Sequence, residues 1–190
     1  VSTPATLTTR KWWLARTTPP TAAPVAFPQG ARIERVDRPE IAFHRFLFAA
    51  VGEEWLWWSR RAMTDAQVAA ILHDPRHSTH VLYLEGQPAG FFELDRRPAP
   101  DIELAFFGLL PHATGKGLGR VLLEHAIAAA FAENPRALTV NTCDLDHPAA
   151  LANYSARGFA ILREATITEP DPRATGLLPE SAGRQNPRAR

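Results

Sequence analysis

The run Thr114-Gly115-Lys116-Gly117-Leu118-Gly119-Arg120 constrains this chain more than any other feature, because it joins an apolar stretch of strand length to a long amphipathic helix. Upstream, Asp101 to Leu110 reads as a strand closed by Pro111. Downstream, Leu118, Leu122, Ala126 and Ala129 form one helical stripe and Leu123, Ile127 and Phe131 a neighbouring one, leaving Arg120, Glu124 and Ala128 outward. A strand, a glycine loop and a helix start gather free backbone N–H groups at the positive end of a helix dipole, an arrangement that suits a phosphate. Glycines fit there because a side chain would hold the ligand away from the amides. Taken alone, the loop is equally consistent with a glycine-rich turn. Counting from Gly115, the sixth position is Arg120, so the dinucleotide pattern G-x-G-x-x-G fails, and the Walker pattern G-x-x-x-x-G-K-[ST] is absent.

Strands and helices alternate around this loop. Ala31 to Asp37 reads as a strand, and Glu40 to Val51 spaces Ile41, Phe43, Leu47, Phe48 and Val51 as a helix does. Thr64 and Gln67 form a capping box for a second helix, Asp65 to His73, which Pro75 cannot prolong. Ser78 to Glu85 and Ala89 to Asp95 flank Gly86-Gln87-Pro88 as an antiparallel hairpin. Ala137 to Thr142 is strand-like, Pro148 to Ala156 is a short helix ended by Gly158, and Phe159 to Thr168 is a closing strand. The expected class is α/β in the α+β sense, with one central sheet. Residues 1–30, a strand over Thr6 to Ala15 and a Pro-rich segment, read as an N-terminal extension; residues 31–169 form the domain; residues 170–190, without apolar period, read as a mobile C-terminal tail.

Composition narrows the function classes. Lys plus Arg number 21 against 20 Asp plus Glu, a formal net charge of +1 that offers no field to draw in nucleic acid. A single cysteine, Cys143, fits a reducing compartment, and no apolar run approaches the ~20 residues that span a bilayer, so a cytoplasmic protein with no membrane partner is expected. His73 and His77 are four apart, but Pro75 breaks the helix that would align them, so no metal is expected. No G-x-S-x-G elbow surrounds Ser155, and Cys143 lacks an activating signature.

The glycine loop resembles the cofactor motif of the GNAT N-acetyltransferase superfamily, in which Arg or Gln, two residues, Gly, one residue, then Gly or Ala fall here on Thr114, Gly117 and Gly119. Thr114 departs from the long side chain at the first position, and Lys116 and Arg120 are its candidate substitutes. The resemblance extends to Asp101–Pro111, which is similar to the family's fourth strand, and to Asp146–Phe159, which is similar to its closing signature of a tyrosine-bearing helix running into Gly-Phe. It covers about Ala31 to Thr168, and three linked motifs are far more specific than one. It implies a GNAT fold: a twisted, mostly antiparallel mixed sheet flanked by about four helices. Its fourth and fifth strands, here Ile102 to Leu110 and Ala137 to Thr142, would splay to admit the acyl-pantetheine arm of acetyl-CoA.

That resemblance directs the candidate roles. An alkylamine is protonated at neutral pH and attacks a thioester only when neutral, so a base is useful. Glu103, eleven residues before Thr114, resembles the glutamate base of the histone-acetylating branch; the alternatives are a structural ion pair or Glu93 or Asp95 on the preceding strand. Tyr154 stands where the family places a general acid for the leaving thiolate, unless it is a core tyrosine. Cofactor contacts are expected at Leu109, Leu110, Thr114, Gly115, Lys116, Gly117, Leu118, Gly119, Arg120, Asn141 and Asn153, with a backbone N–H near Leu109 for the oxyanion. His147 replaces an asparagine common in relatives. Trp55, Trp57, Trp58 and Glu93 are candidate acceptor contacts, and Arg60 or Arg61 a candidate holder of a substrate carboxylate.

The expected function is direct acetyl transfer from acetyl-CoA to an amine of a small molecule or peptide. A non-catalytic acyl-CoA-binding module, a hydroxyl acceptor and a longer acyl donor remain as alternatives. The Trp-bearing extension offers a surface for a homodimer.

Overall fold

In the computed structural model, which describes residues 5–184, the strands join in one seven-stranded sheet. They are β1 Thr6–Arg16, β2 Ala31–Val36, β3 His77–Leu84, β4 Gln87–Asp95, β5 Ile102–Leu109, β6 Leu138–Cys143 and β7 Ala160–Pro170, in the spatial order β2-β3-β4-β5-β6-β1-β7. Among the described residues four α-helices flank them: α1 Ile41–Gly52, α2 Asp65–Leu72, α3 Leu118–Phe131 and α4 Ala150–Ser155. The capping box of α2 forms as read, with the Gln67 N–H donating to Thr64 Oγ1 at 3.3 Å and the Thr64 N–H to Gln67 Oε1 at 2.8 Å. No helix among the described residues is long and apolar enough to cross a membrane.

Alternation along the strands sorts side chains onto two faces. On one face, Leu94, Leu104, Leu138, Val140 and Leu14 pack against Leu118, Leu122, Leu123 and Ile127 of α3, with Tyr154 of α4 in the same cluster. On the other, Val81 and Phe91 pack against Leu47 and Val51 of α1. The α1 approach is close: a Cβ added to Gly108 of β5 would lie 2.4 Å from Val51 Cγ1.

Every strand pair is antiparallel except β5 with β6. That pair holds only through Ile102–Leu138 and Glu103–Thr139, after which the strands part. A bulge assists the divergence: Glu93 pairs with Phe106 and Leu94 with Leu104, leaving Ala105 as the extra residue of β5. The splayed strands implied by the resemblance are present.

Three details differ from the sequence reading. The β3–β4 turn is the pair Glu85-Gly86, with φ of 51° and 81°, rather than Gly86-Gln87-Pro88. Two positive-φ residues give the turn whose twist matches its strands, so Pro88 is drawn into β4. The first strand is not an appendage: β1 lies between β6 and β7, pairing with β7 from Thr6 to Ala15 and with β6 from Lys11 to Arg16. The described part of the expected tail is packed rather than free, with Leu178 and Ala182 buried against Leu7 and Leu56 and the Asp171 N–H donating to Ala5 O at 2.8 Å. The last residues of that expected tail, 185–190, lie outside the described residues.

Candidate active site

The divergence of β5 and β6 opens a crevice of about 780 Å3 that runs from the glycine loop, through the gap, to the side of the sheet facing the α1–α2 connection. Its two ends differ in chemistry.

At the α3 end, Gly117 caps the helix in the left-handed region at φ 73°, and Gly115 also has φ 73°. A Cβ at either would meet nothing within 4 Å, so glycine is required there by backbone conformation rather than by close protein packing. The amides of Leu118, Gly119 and Arg120 open the helix and lack i−4 partners. Arg120 and Arg157 line this end, whereas Lys116 does not. Both arginines contact Glu124 Oε1 at 3.3 Å, and Arg157 Nη1 also donates to Asn153 Oδ1 at 2.6 Å. Thr114 turns its hydroxyl back to Pro111 O at 2.7 Å, so its side chain is spent on the loop itself. Arg157, adjacent to the Gly-Phe signature, is thus the cation that sequence reasoning did not assign.

In the gap, Leu109, Asn141, Asn153 and Tyr154 line the crevice. Leu110 does not: its side chain is buried with the α1 cluster and its N–H donates to Ala89 O at 2.9 Å. Tyr154 packs edge-on against Phe107 and Phe159, and its hydroxyl makes no hydrogen bond among the described residues. Burial, with a smaller push from Asp146, raises the phenol pKa, so the hydroxyl stays protonated. Asp146 is itself fully engaged, accepting from Thr142 Oγ1 at 2.7 Å, Cys143 N at 3.1 Å and Trp57 Nε1 at 3.2 Å. Burial pushes the Cys143 thiol up to about 11, which removes it as a nucleophile at neutral pH.

Glu103 stands at the base of the gap, next to the crevice-lining Leu104, and accepts from Asn141 Nδ2 at 3.4 Å. Burial and then the charge of Asp95 raise its pKa, outweighing Lys11 and Arg97. Glu93 has a different setting. It is fully buried, outside the crevice, and accepts from His44 Nε2 at 2.7 Å, His77 Nε2 at 3.0 Å and Arg60 Nη2 at 3.2 Å. Burial alone would raise its pKa, but the two histidine hydrogen bonds and the Arg60 charge hold it below the usual carboxylate range. The structure therefore does not bring Glu93 together with the acceptor candidates. Arg60 is committed to it, and Arg61 to Glu53 at 2.7 Å, so neither is free to hold a substrate carboxylate.

At the α1 end, Trp55, Trp57 and Trp58 form an aromatic wall, with His147 edge-on to Trp55. Trp57 also serves the core, against Phe48, Phe91 and Phe106. The opposite wall comes from β1 and β7 through Thr9, Lys11, Ile167 and Glu169. Nothing in the sequence marks these residues, because the position of β1 is a long-range pairing.

The family model for the acetyltransferase (GNAT) family matches residues 41–159, and the chain belongs to that family. A curated relative, the 5-NmdU N-acetyltransferase of Pseudomonas phage PaMx11, is 34% identical over 87 residues, covering 45% of this chain and 59% of that protein. Among solved structures, a GCN5-related N-acetyltransferase from Sphaerobacter thermophilus aligns with TM-score 0.63 at 18% identity, covering 87% of this chain and 51% of that one. The ribosomal-protein-S18-alanine N-acetyltransferase of Escherichia coli aligns with TM-score 0.57 at 17% identity, over 74% of this chain and 94% of that one. The chain spans 59% of the length of the curated phage relative.

Proposed function

We propose that the protein transfers an acetyl group from acetyl-CoA directly to an amine, with both substrates bound in the one crevice. The observation that carries this reading is the continuity of that crevice, from positive-φ glycines and two arginines, past Tyr154, to an aromatic wall across the sheet. The residues present fit the cosubstrate: Gly115 to Arg120 and Arg157 would take the pyrophosphate, and the pantetheine arm would lie in the β5–β6 gap. There β5 backbone groups past Glu103 have no β6 partner and can bind the arm and the oxyanion. The N-acetyltransferase names of the relatives support an amine acceptor.

Glu103 is the proposed base, reaching the ammonium through one water beside Asn141. Its raised pKa sets the sign of the pH dependence. Activity falls as pH drops and Glu103 protonates, with the limb above the ordinary glutamate value of ~4.3. Glu103→Gln should lower kcat/KM by about 100-fold and abolish that limb in a pH–rate profile; retention of the limb would assign it to another group.

Gly117→Val should impair the other substrate. A β-branched residue at φ 73° costs about 1–2 kcal/mol, which the loop relieves by shifting its amides. The expected result is at least about tenfold weaker acetyl-CoA binding by calorimetry, with unchanged KM for the amine. The function itself is tested by thiol release from acetyl-CoA with a panel of amines and by the mass of the product.

A further inference from the structure

On the face of the sheet that bears the acceptor end, charge is distributed unevenly. The cations of the α1–α2 connection are neutralised, Arg60 by Glu93 and Arg61 by Glu53. Arg97, which is near Glu103, is held by Asp95. Two cations of the strand pair β1–β7 have no carboxylate in contact among the described residues, although the Lys11 charge reaches Glu103. Lys11 of β1 lines the crevice, and among the described residues it makes no hydrogen bond or ion pair; its ammonium lies 5.4 Å from the centroid of Trp13. Arg163 of β7 pairs across from Trp13 and lies 4.5 Å from the same ring, also with no carboxylate in contact among the described residues. By their separations from the ring, the two charges are at most about 10 Å apart, near the coulombic range that survives physiological salt.

The register locates this pair. Lys11 stands beside Cys143 in β6, and Trp13 beside Asn141, the residue that touches Glu103. Lys11 is thus within two residues along the strand of the place where the amine would be deprotonated. The carboxylates near Lys11 are Glu103, which feels its charge without touching it, Asp144, which accepts from the Arg10 N–H at 3.1 Å, and the crevice-lining Asp146 and Glu169. Asp146 is turned to three donors, Thr142 Oγ1, Cys143 N and Trp57 Nε1, and Glu169 lies four residues further along the strand pair, roughly 13 Å away. An ammonium substrate alone gives no reason for a lysine without a contacting carboxylate in its own pocket, since like charges repel there.

We infer that Lys11, backed by Arg163 across Trp13, binds an anionic group of the acceptor, so that the preferred substrate is an amine that also carries a carboxylate or a phosphate. This rests on the acetyl-transfer reading for the chemistry but not for the binding. The added strand β1 then sets acceptor specificity, while the glycine loop and Tyr154 serve the cosubstrate.

The test uses matched probes and two readouts. The protein loaded with CoA is titrated calorimetrically with ethanolamine, O-phosphoethanolamine and 3-aminopropanoate, and with tryptamine and tryptophan. The member of a set that carries the anionic group should bind at least about tenfold more tightly than its counterpart without it. Lys11→Met should erase the difference, Lys11→Arg should keep most of it, and CoA affinity should not change in either. A phosphate preference without a carboxylate preference assigns the group as phosphate, and the converse as carboxylate. Equal binding of members with and without the anionic group, or a Lys11→Met loss that is uniform across both, overturns the inference, as does failure of every probe with an anionic group to bind. Thiol release is then measured on the same probes with acetyl-CoA: anionic probes that bind without releasing thiol count against acetyl transfer and leave the anion site standing.

Discussion

Tyr154→Phe should lower kcat by about 100-fold while leaving acetyl-CoA affinity within a factor of two or so. The tyrosine sits in the wall of the gap, where the sulfur would leave, with its hydroxyl unspent among the described residues and its ring held by Phe107 and Phe159. Phenylalanine keeps the packing, so the fold should be unaffected. The direction of the pKa shift refines the role. Burial drives the phenol above its ordinary value of ~10, whereas a thiol titrates near 8.5, so complete proton transfer to the thiolate runs uphill. In the proposed mechanism the hydroxyl would act chiefly as a hydrogen-bond donor to the departing sulfur, and no basic limb attributable to Tyr154 should appear below about pH 10. Pre-steady-state thiol release measures the step directly; an unchanged rate in the variant would remove Tyr154 from the mechanism.

Glu93→Gln should be the most destabilising single change in this part of the molecule. Glu93 draws donors from α1, from β3 and from the α1–α2 connection, so the ionic contact ties together three segments that are remote in sequence. Glutamine preserves size but leaves the Arg60 guanidinium, only 5% exposed, without a countercharge. Breaking such a buried pair costs about 3–5 kcal/mol, or a fall in melting temperature on the order of 10 °C for a chain of this size. The pH dependence has a definite sign: because the folded pKa is depressed, this stabilisation is complete above the ordinary carboxylate value and is lost as pH falls below ~4 towards the folded value. The variant should show a flatter stability curve across that acid range. Arg60 also lies 5.2 Å from the Phe106 ring in the crevice wall, so acceptor KM should rise along with the loss of stability. Chemical denaturation at several pH values checks the stability change, and steady-state kinetics checks the KM.

Local patterns carried most of the fold. The α3 stripes, the Thr64–Gln67 box, Pro111 and the glycine loop are each set by residues within a few positions of one another, and the structure reproduces them. The parting of β5 and β6 was expected only because the three linked motifs resemble the GNAT family; no local pattern in either strand encodes it. The position of β1 was not legible: Thr6 to Ala15 shows that a strand forms, but its neighbours are β6 and β7, more than a hundred residues away, and nothing local encodes that register. The packed segment after β7 was hidden for the same reason, since Leu178 and Ala182 find their apolar contacts on Leu7 and Leu56. At the site, Glu103 and Glu93 look alike in sequence as lone carboxylates in apolar strands. Their partners separate them, Asn141 and a neighbouring carboxylate for one, three nitrogen donors for the other.

Each proposed role depends on whether the crevice holds acetyl-CoA. Calorimetric titration with acetyl-CoA, with NAD and ATP as controls, should give a dissociation constant near or below the micromolar range, about −8 kcal/mol, for acetyl-CoA alone. Absence of heat with acetyl-CoA, or equal binding of the control nucleotides, would mean that the Gly115–Arg120 loop and the β5–β6 gap do not form a cosubstrate site.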